Sequence, residues 1–239
     1  MRYQLYYWPS IPGRGEFVRL ALEEAGAEYV DVARRSGHGL GISAMQRLMD
    51  DENSTRAPFA PPFLKAGNLV IGQSANILLF LGPRHGLTPR SAAGRIWVNQ
   101  LQLTVADCVA EVHEVHHPIS ASLYYRQQKT EARRRSKFFR AERIPKYLGY
   151  FEQALSSGGR RYLAGNALSY ADLSVFQLIA GLRYAFPKAM KKLEPRLPAL
   201  AGLHDRVAAR PNIAAYLRSK RRIEFNTDGI FRYYPELDG

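Results

Sequence analysis

The stretch from Pro61 to Leu81 limits the possible folds of this chain more than any other. Two short apolar runs, Phe63–Lys65 and Leu69–Ile71, flank Ala66-Gly67-Asn68, a pattern that predicts a β-hairpin. Gln73-Ser74 then opens an apolar helix, whose first turn offers free N–H groups and a partial positive charge to a carboxylate. A proline ahead of the first strand fits an edge strand or a cis turn. By spacing alone, this segment is also typical of an ordinary α/β domain.

The residues before this stretch predict a βαβ unit. Tyr3–Trp8 is a strand candidate rich in aromatic residues, and Glu28–Val32 is a second one. Between them, Glu16–Ala25 has the apolar face of an amphipathic helix, and Gly26 is a natural stop. Together with the later hairpin and helix, the order βαβ-ββα predicts a thioredoxin-like α/β domain. The intervening residues, 33–61, form a long connection with one weak helix at Ile42–Met49.

A segment rich in helix breakers, residues 82–89, predicts a domain boundary. We therefore expect an N-terminal domain at 1–83 and an all-helical domain, a bundle, at 90–239. Within the second, Ala92–His117 reads as one long helix and Glu131–Leu155 as another, with an interruption at Pro145 left open. Ser169 and Asp172 have the spacing of a capping box at the start of a third helix.

Composition narrows the class of protein and its setting. The 239 residues carry a net charge of +13 and a single cysteine, Cys108, which excludes an internal disulfide and a cysteine-based metal cluster. No apolar run is long enough for a membrane span, and the N-terminus has no signal-peptide core. These observations predict a soluble, cytoplasmic protein with no membrane partner. The basic residues around Arg133–Lys137 are expected to be a solvated helix face, and without a nucleic-acid motif we do not expect nucleic acid as a partner.

Four segments, in order and over nearly the whole chain, resemble the cytosolic glutathione transferases. They are Tyr7-Trp8-Pro9 with Gly13–Glu16 and Arg19, then Pro62–Ser74, Leu168–Asp172 and Ala209–Ile213. The resemblance is closest to the tyrosine-type classes, pi and sigma, and their bacterial relatives. It implies the glutathione transferase fold, conjugation of glutathione to small hydrophobic electrophiles in detoxification, and a homodimer. Glutathione is the implied co-substrate, and no metal is expected.

The implied chemistry requires a residue that stabilises the glutathione thiolate. A thiol has a pKa of roughly 8.5, and lowering it by about two units needs roughly 2.7 kcal/mol of preferential thiolate stabilisation. Tyr7, at the end of the first strand, matches the family tyrosine that donates its hydroxyl to sulfur. Ser10 is the alternative, because Ser10–Arg14 resembles the Ser-x-Pro-x-Arg segment of the serine-type classes.

The resemblance also assigns residues to the rest of the glutathione site. Gln73 and Ser74 would hold the γ-glutamyl carboxylate at the helix N-terminus. Asp107 would reach the γ-glutamyl amine of the ligand on the neighbouring subunit. The alternative is that Asp107 is an ordinary solvent-exposed acid on a helix. Trp8 and Arg14 belong to the same site, although an arginine at position 14 could instead brace the domain interface.

Two departures from the family pattern suggest weak glutathione affinity. The residue before the cis-proline normally clasps the cysteinyl backbone with its N–H and C=O, but here that position is Pro61, which has no N–H. Either half of the clasp is missing at Pro61-Pro62, or Pro61 is the cis residue and Ala60 does the clasping. The long 33–61 segment offers no clear match for the residues that bind the glycyl carboxylate. Its candidates are His38, Arg47 and Arg56.

The electrophile pocket is expected between the domains, near Tyr7 and Trp8. Positional candidates from the helical domain are His113, His116, His117 and Tyr124. Residues 113–117 also fit the His-Glu-x-x-His pattern of zinc proteases, but Pro118 ends the helix at once and no third ligand is evident, so no metal is assigned.

Three functional alternatives remain open at this stage. One is a non-catalytic interaction module of the same fold, associated with nucleic acid or protein, which the net charge and Pro61 suggest. The others are glutathione-dependent peroxidase and isomerase chemistry in the same site. Cys108, in the middle of a helix, is expected to be a packed thiol and not a nucleophile.

Overall fold

A computed structural model describes residues 2–52, 54–157 and 159–239. It contains one four-stranded sheet and a series of helices. The strands are β1 (Tyr3–Tyr6), β2 (Tyr29–Asp31), β3 (Phe63–Ala66) and β4 (Leu69–Gly72). The α-helices are α1 (Gly15–Glu24), α2 (Ile42–Met49), α3 (Ser74–Arg84), α4 (Ala92–His116), α5 (Lys129–Phe138), α6 (Ile144–Ser156), α7 (Tyr170–Ala185), α8 (Pro187–Leu193), α9 (Pro198–Ala208), α10 (Pro211–Leu217) and α11 (Pro235–Asp238).

The sheet belongs to the first of two compact units, which comprises Met1–Leu87 and Arg210–Glu224. Its strand order is β2-β1-β3-β4, with β1 and β2 parallel and the other two pairs antiparallel. The parallel pair needs a crossover connection, which α1 supplies, whereas β3 and β4 are joined by a tight turn in which Gly67 has a φ of +61°. This is the predicted βαβ-ββα arrangement, and the thioredoxin-like prediction is confirmed.

Residues 210–224 join the first unit through polar contacts with α1. Arg210 forms an ion pair with Glu24, and the Asn212 side-chain amide donates to the Glu24 carbonyl at 2.9 Å. The Tyr216 hydroxyl donates to the Glu16 carboxylate at 2.7 Å, in a part of the core where neither side chain is exposed. The sequence analysis contains no such return of the chain to the first unit.

The second unit, Thr88–Ala209 and Phe225–Gly239, is all helical among its described residues, apart from an isolated bridge between Tyr162 and Gly165. Its buried apolar side chains include Val105, Phe151 and Leu178, one each from α4, α6 and α7. The prediction of an all-α second half is therefore confirmed.

The segment predicted as one helix at Glu131–Leu155 consists of three pieces. Between α5 and α6, residues Phe139–Arg143 form a π-helical turn, and Pro145 lies in the first turn of α6. Proline has no N–H to donate to the carbonyl four residues earlier, so the helical hydrogen-bond ladder is interrupted there, and the chain takes a wider turn just ahead of it. The interruption left open at Pro145 is thus real, but it lies on the N-terminal side of the proline.

The predicted cap of α7 is present. Asp172, fully buried, accepts from the Ser169 backbone N–H at 2.8 Å and from the Ser169 hydroxyl at 2.6 Å. Its other oxygen accepts from the Leu163 N–H at 2.8 Å, a contact that the sequence does not indicate. Burial raises the pKa of the Asp172 carboxyl to about 6, against the opposing effect of these hydrogen bonds.

Within the described part of the chain, no helix combines the length and apolarity that a membrane crossing requires. Much of the basic run on α5 and the following turn is paired with acids of α4. Arg143 binds Glu111 at 2.6 Å and Arg135 binds Glu114 at 2.8 Å. The expectation of a solvated face therefore holds only for its exposed members, Arg133, Arg134 and Lys137.

Candidate active site

The register of the sheet places three predicted site positions at the same end of the strands. Tyr6 pairs with Phe63, and Phe63 pairs with Gly72. Tyr7 therefore follows β1 where Pro62 precedes β3 and Gln73 follows β4. Adjacent strands lie about 4.8 Å apart, so the three positions span roughly 10 Å.

Tyr7 is buried beneath the start of α1. The strand ends at Tyr6, one residue before Tyr7 and earlier than predicted, and Tyr7 retains only 3% of its surface exposed. Its hydroxyl oxygen accepts a hydrogen bond from the Arg14 backbone N–H at 2.9 Å, and the guanidinium of Arg19 lies 5.8 Å from its ring centroid. Burial raises the pKa of the Tyr7 phenol, so the hydroxyl keeps its own hydrogen at neutral pH and can donate it.

The backbone of Arg14 joins Tyr7 to the N-terminus of α3. Its N–H donates to Tyr7, and its carbonyl accepts from the Ser74 hydroxyl at 3.1 Å. Gln73, immediately before Ser74, has a φ of +66°, which is rare outside glycine and is typical of backbone held in place at functional sites. The backbone of Arg14 thus links the start of α1, where Arg14 lies, to the start of α3 at Ser74.

The peptide bond between Pro61 and Pro62 is cis. Of the two arrangements that the sequence left open, the structure has the one in which Pro61 precedes the cis-proline. Pro61 is half-buried and offers a carbonyl but no N–H at this position.

The other predicted residues differ in their surroundings. Trp8 is 39% exposed and Ser10 is exposed, both in the segment between β1 and α1. Asp107 is exposed on α4, in the second unit. The three candidates for the glycyl carboxylate, His38, Arg47 and Arg56, are all exposed, and nothing in their contacts distinguishes one of them.

Two glycines that the sequence analysis did not assign shape the surroundings of Tyr7. A methyl group at Gly13 would collide with the Tyr7 hydroxyl, and one at Gly15 would lie 2.6 Å from two atoms of its ring. The signal was present as Gly13-Arg14-Gly15, but its meaning depends on the ring lying directly underneath.

In the second unit, His113, His116 and His117 converge, with their ligand atoms all within 4.8 Å of one another. Tyr124, grouped with them in the sequence analysis, is exposed. Cys108 is fully buried, and burial raises the pKa of its thiol, so it is a packed thiol as expected.

Comparisons with known proteins agree with this fold. A family model described as the glutathione S-transferase C-terminal domain matches residues 113–220. The chain is 25% identical over 224 residues to a glutathione S-transferase of Plasmodium falciparum, covering 91% of this chain and 95% of the relative. It is 27% identical over 224 residues to glutathione S-transferase P 1 of Xenopus laevis, covering 92% and 93%. A solved pi-class glutathione S-transferase of Onchocerca volvulus superimposes with a TM-score of 0.72 at 22% identity, covering 96% of this chain and 99% of the other.

The chain therefore has the fold of the Onchocerca volvulus structure, with a thioredoxin-like sheet unit and an all-helical unit. The chain is similar to glutathione S-transferases over most of its length, and residues 113–220 match the model of their C-terminal domain.

Proposed function

We propose that this protein conjugates the glutathione thiolate to small hydrophobic electrophiles, with Tyr7 as the donor to sulfur. The observation that carries the proposal is the bridge through Arg14, whose backbone contacts both Tyr7 and Ser74. Glutathione is a tripeptide, so the tyrosine that stabilises its thiolate and the helix start that binds its carboxylate must lie within its length. The bridge through Arg14 holds the two groups within that distance.

The proposed chemistry follows from the surroundings of Tyr7. Its protonated hydroxyl donates to the sulfur, while the Arg14 N–H, the N-terminus of α1 and the charges of Arg14 and Arg19 favour negative charge nearby. The thiol proton leaves to water, the sulfur forms a bond to the electrophilic carbon, and the bond from that carbon to its leaving group breaks. Sulfur stabilised in this way attacks faster because more of it is ionised at neutral pH.

The remaining assignments of the site belong to the same proposal. Gln73 and Ser74, at the N-terminus of α3, bind the γ-glutamyl carboxylate, and the carbonyl of Pro61 makes the one backbone contact that a proline can offer there. The missing N–H predicts weaker glutathione binding than a non-proline residue would give. Asp107 serves a homodimer by reaching the ligand of the partner subunit, and sedimentation velocity of the wild-type chain checks the dimer.

The test compares Tyr7→Phe with Ser10→Ala. We expect Tyr7→Phe to raise the pKa of bound glutathione thiol by about two units, the shift that one charge-assisted hydrogen bond with nearby dipoles can supply, and to slow turnover of a chlorinated nitrobenzene. The thiol pKa is read from the ultraviolet absorbance of the thiolate. Ser10→Ala is the matched control, since Ser10 lies in the same segment. A raised thiol pKa in Ser10→Ala alone would transfer the role to the serine.

Assays with an organic hydroperoxide and with an isomerisable unsaturated ketone separate conjugation from peroxidase and isomerase chemistry, because all three use the same thiolate. Absence of turnover with all three substrates, together with no retention on immobilised glutathione, would leave the interaction-module alternative.

A further inference from the structure

Three imidazoles meet at the C-terminal end of α4. His113 and His116 are three residues apart, and His113 and His117 are four apart, so both pairs share one face of a helix. His117 is the residue that ends the helix, with φ of −133° and ψ of 58°, because the proline that follows disfavours helical geometry before it. This change of direction brings the His117 ring against His113, with centroids 4.8 Å apart. Pro118, which counted against a metal in the sequence analysis, thus helps to assemble the cluster.

The protonation pattern of the cluster is fixed by a distant carbonyl. His116, only 2% exposed, has its Nε2 atom 2.7 Å from the backbone oxygen of Ile230. A carbonyl oxygen can only accept, so Nε2 carries the hydrogen and the neutral ring presents the lone pair of Nδ1. This Nδ1 lies 2.6 Å from Nδ1 of His117, inside the cluster. Histidine ligands of metals characteristically donate their second ring N–H in this way, which orients the ring and raises its basicity.

We propose that His113, His116 and His117 bind a divalent transition metal ion, with zinc as the best fit. Three neutral imidazoles are the donor set that suits Zn²⁺, Cu²⁺ and Ni²⁺. Among the residues that the structure describes, no carboxylate belongs to the cluster, which disfavours Mg²⁺ and Ca²⁺. The inference does not depend on the proposed glutathione chemistry, since all of its residues lie in the second unit.

Binding requires small side-chain movements. Zinc–nitrogen bonds of 2.0–2.1 Å in a tetrahedral site separate the nitrogens by about 3.3 Å. The close pair, His116 and His117, must therefore open slightly, and the wider separations, which reach 4.8 Å, must close. His113 and His117 lie nearly parallel, 5° apart, so one ring must tilt before both can point at the same ion. His113 and His117 are both half-buried, so either ring has room to do so, whereas His116 is buried.

The surrounding charges define what kind of site this is. Arg232 is close enough to act electrostatically on both His116 and His117, and it opposes a bound cation. Glu114, the residue in the position of the general base in the zinc-protease pattern, is held by Arg135 at 2.8 Å. The geometry is therefore that of a three-histidine site without a protease base, which ties the end of α4 to the segment around Ile230.

The experiment is equilibrium dialysis of the full-length protein, free of any affinity tag, against Zn²⁺, with bound metal counted by mass spectrometry. We expect a single saturable ion per chain. His113→Ala and His117→Ala should each weaken binding by more than the roughly 10- to 100-fold that loss of an outer partner costs. Cobalt should give the intense visible absorption of a tetrahedral site in the wild type and lose it in both variants. Added zinc should raise the thermal midpoint of the wild type and leave those of His113→Ala and His117→Ala unchanged.

Two further variants make the result decisive. His38→Ala removes an exposed histidine elsewhere in the chain and should leave binding unchanged. Arg232→Gln removes the opposing charge and should tighten binding, most clearly at low ionic strength. Circular dichroism of metal-free His113→Ala and His117→Ala confirms that they are folded. The proposed site would be overturned if folded His113→Ala took up as much zinc as the wild type. It would also be overturned if His38→Ala lost as much zinc binding as the cluster variants.

Discussion

The backbone at Gly13 and Gly15 lies so close to the Tyr7 side chain that neither position has space for a side chain. The glycines at 13 and 15 let the backbone pass directly over the phenol ring, and Gly13 also has a φ of +42°. This close approach allows the Arg14 N–H to reach the phenolic oxygen. The two glycines are therefore needed to position the tyrosine.

Gly15→Ala should displace the Tyr7 ring, because the new methyl carbon would lie 2.6 Å from two ring carbons. If Tyr7 has the proposed catalytic role, we expect kcat/KM for the proposed conjugation to fall by about 10- to 100-fold, the cost of moving a catalytic group by about 1 Å. The free energy of unfolding should fall by about 1–3 kcal/mol from overpacking. Gly149→Ala is the control, since a methyl group there meets nothing within 4 Å. Unchanged activity and stability in Gly15→Ala would mean that Tyr7 is not confined as described.

The start of α7 is fully buried, from Ser169 through Leu173. Asp172 accepts hydrogen bonds from both the backbone and the side chain of Ser169 and also from the Leu163 N–H. Three donors thus depend on one carboxyl group that burial makes harder to ionise.

Asp172 should give the protein a specific dependence of stability on pH. Its pKa in the folded chain, about 6, lies above the ordinary value of 3.8, so the folded state binds the proton more tightly than the unfolded state does. The free energy of unfolding should therefore fall as the pH rises from about 4 to about 6, by about 3 kcal/mol from this group. Urea titrations across this range should show that slope in the wild type and not in Asp172→Asn. Glu142→Gln, at an exposed acid, should retain the slope, and a slope that persists in Asp172→Asn would assign it to other groups.

Local elements could be predicted from the sequence, and long-range associations could not. The hairpin, α3 and the cap of α7 follow from residues a few positions apart, so turn chemistry and apolar spacing suffice. The histidine cluster depends on the Ile230 carbonyl, and the cover over Tyr7 depends on backbone packing, neither of which leaves a periodic pattern. The exact end of β1 and the π-helical turn at Phe139–Arg143 depend on hydrogen bonds that composition does not encode.

At the scale of the molecule, the chain passes through the first unit twice. Residues 210–224 return to pack against α1, and their attachment includes a buried carboxylate, Glu16. This carboxylate accepts from the Tyr216 hydroxyl and also forms ion pairs with Arg19 and Arg222. Removing one partner from such a buried charged group is costly because the remaining groups cannot turn to water.

Tyr216→Phe should lower the free energy of unfolding by about 1–3 kcal/mol, because it leaves one oxygen of a buried carboxylate with fewer donors. Chemical denaturation monitored by circular dichroism measures the change. Tyr150→Phe removes a hydroxyl that bonds Gln100 at an exposed site and should cost less than about 0.5 kcal/mol. Equal losses in the two variants would show that the network around Glu16 contributes no more than a surface contact.

The two tryptophans of the chain lie in different units. Trp8, partly exposed, follows β1 beside Tyr7, whereas Trp97 on α4 donates its indole N–H to the Leu163 carbonyl at 3.0 Å. The protein thus carries one tryptophan per unit, and replacing either with phenylalanine leaves a single tryptophan, which can be excited at wavelengths that the fourteen tyrosines do not absorb. Ligand titrations and melting curves can then be recorded for each half of the polypeptide separately, without attaching a dye.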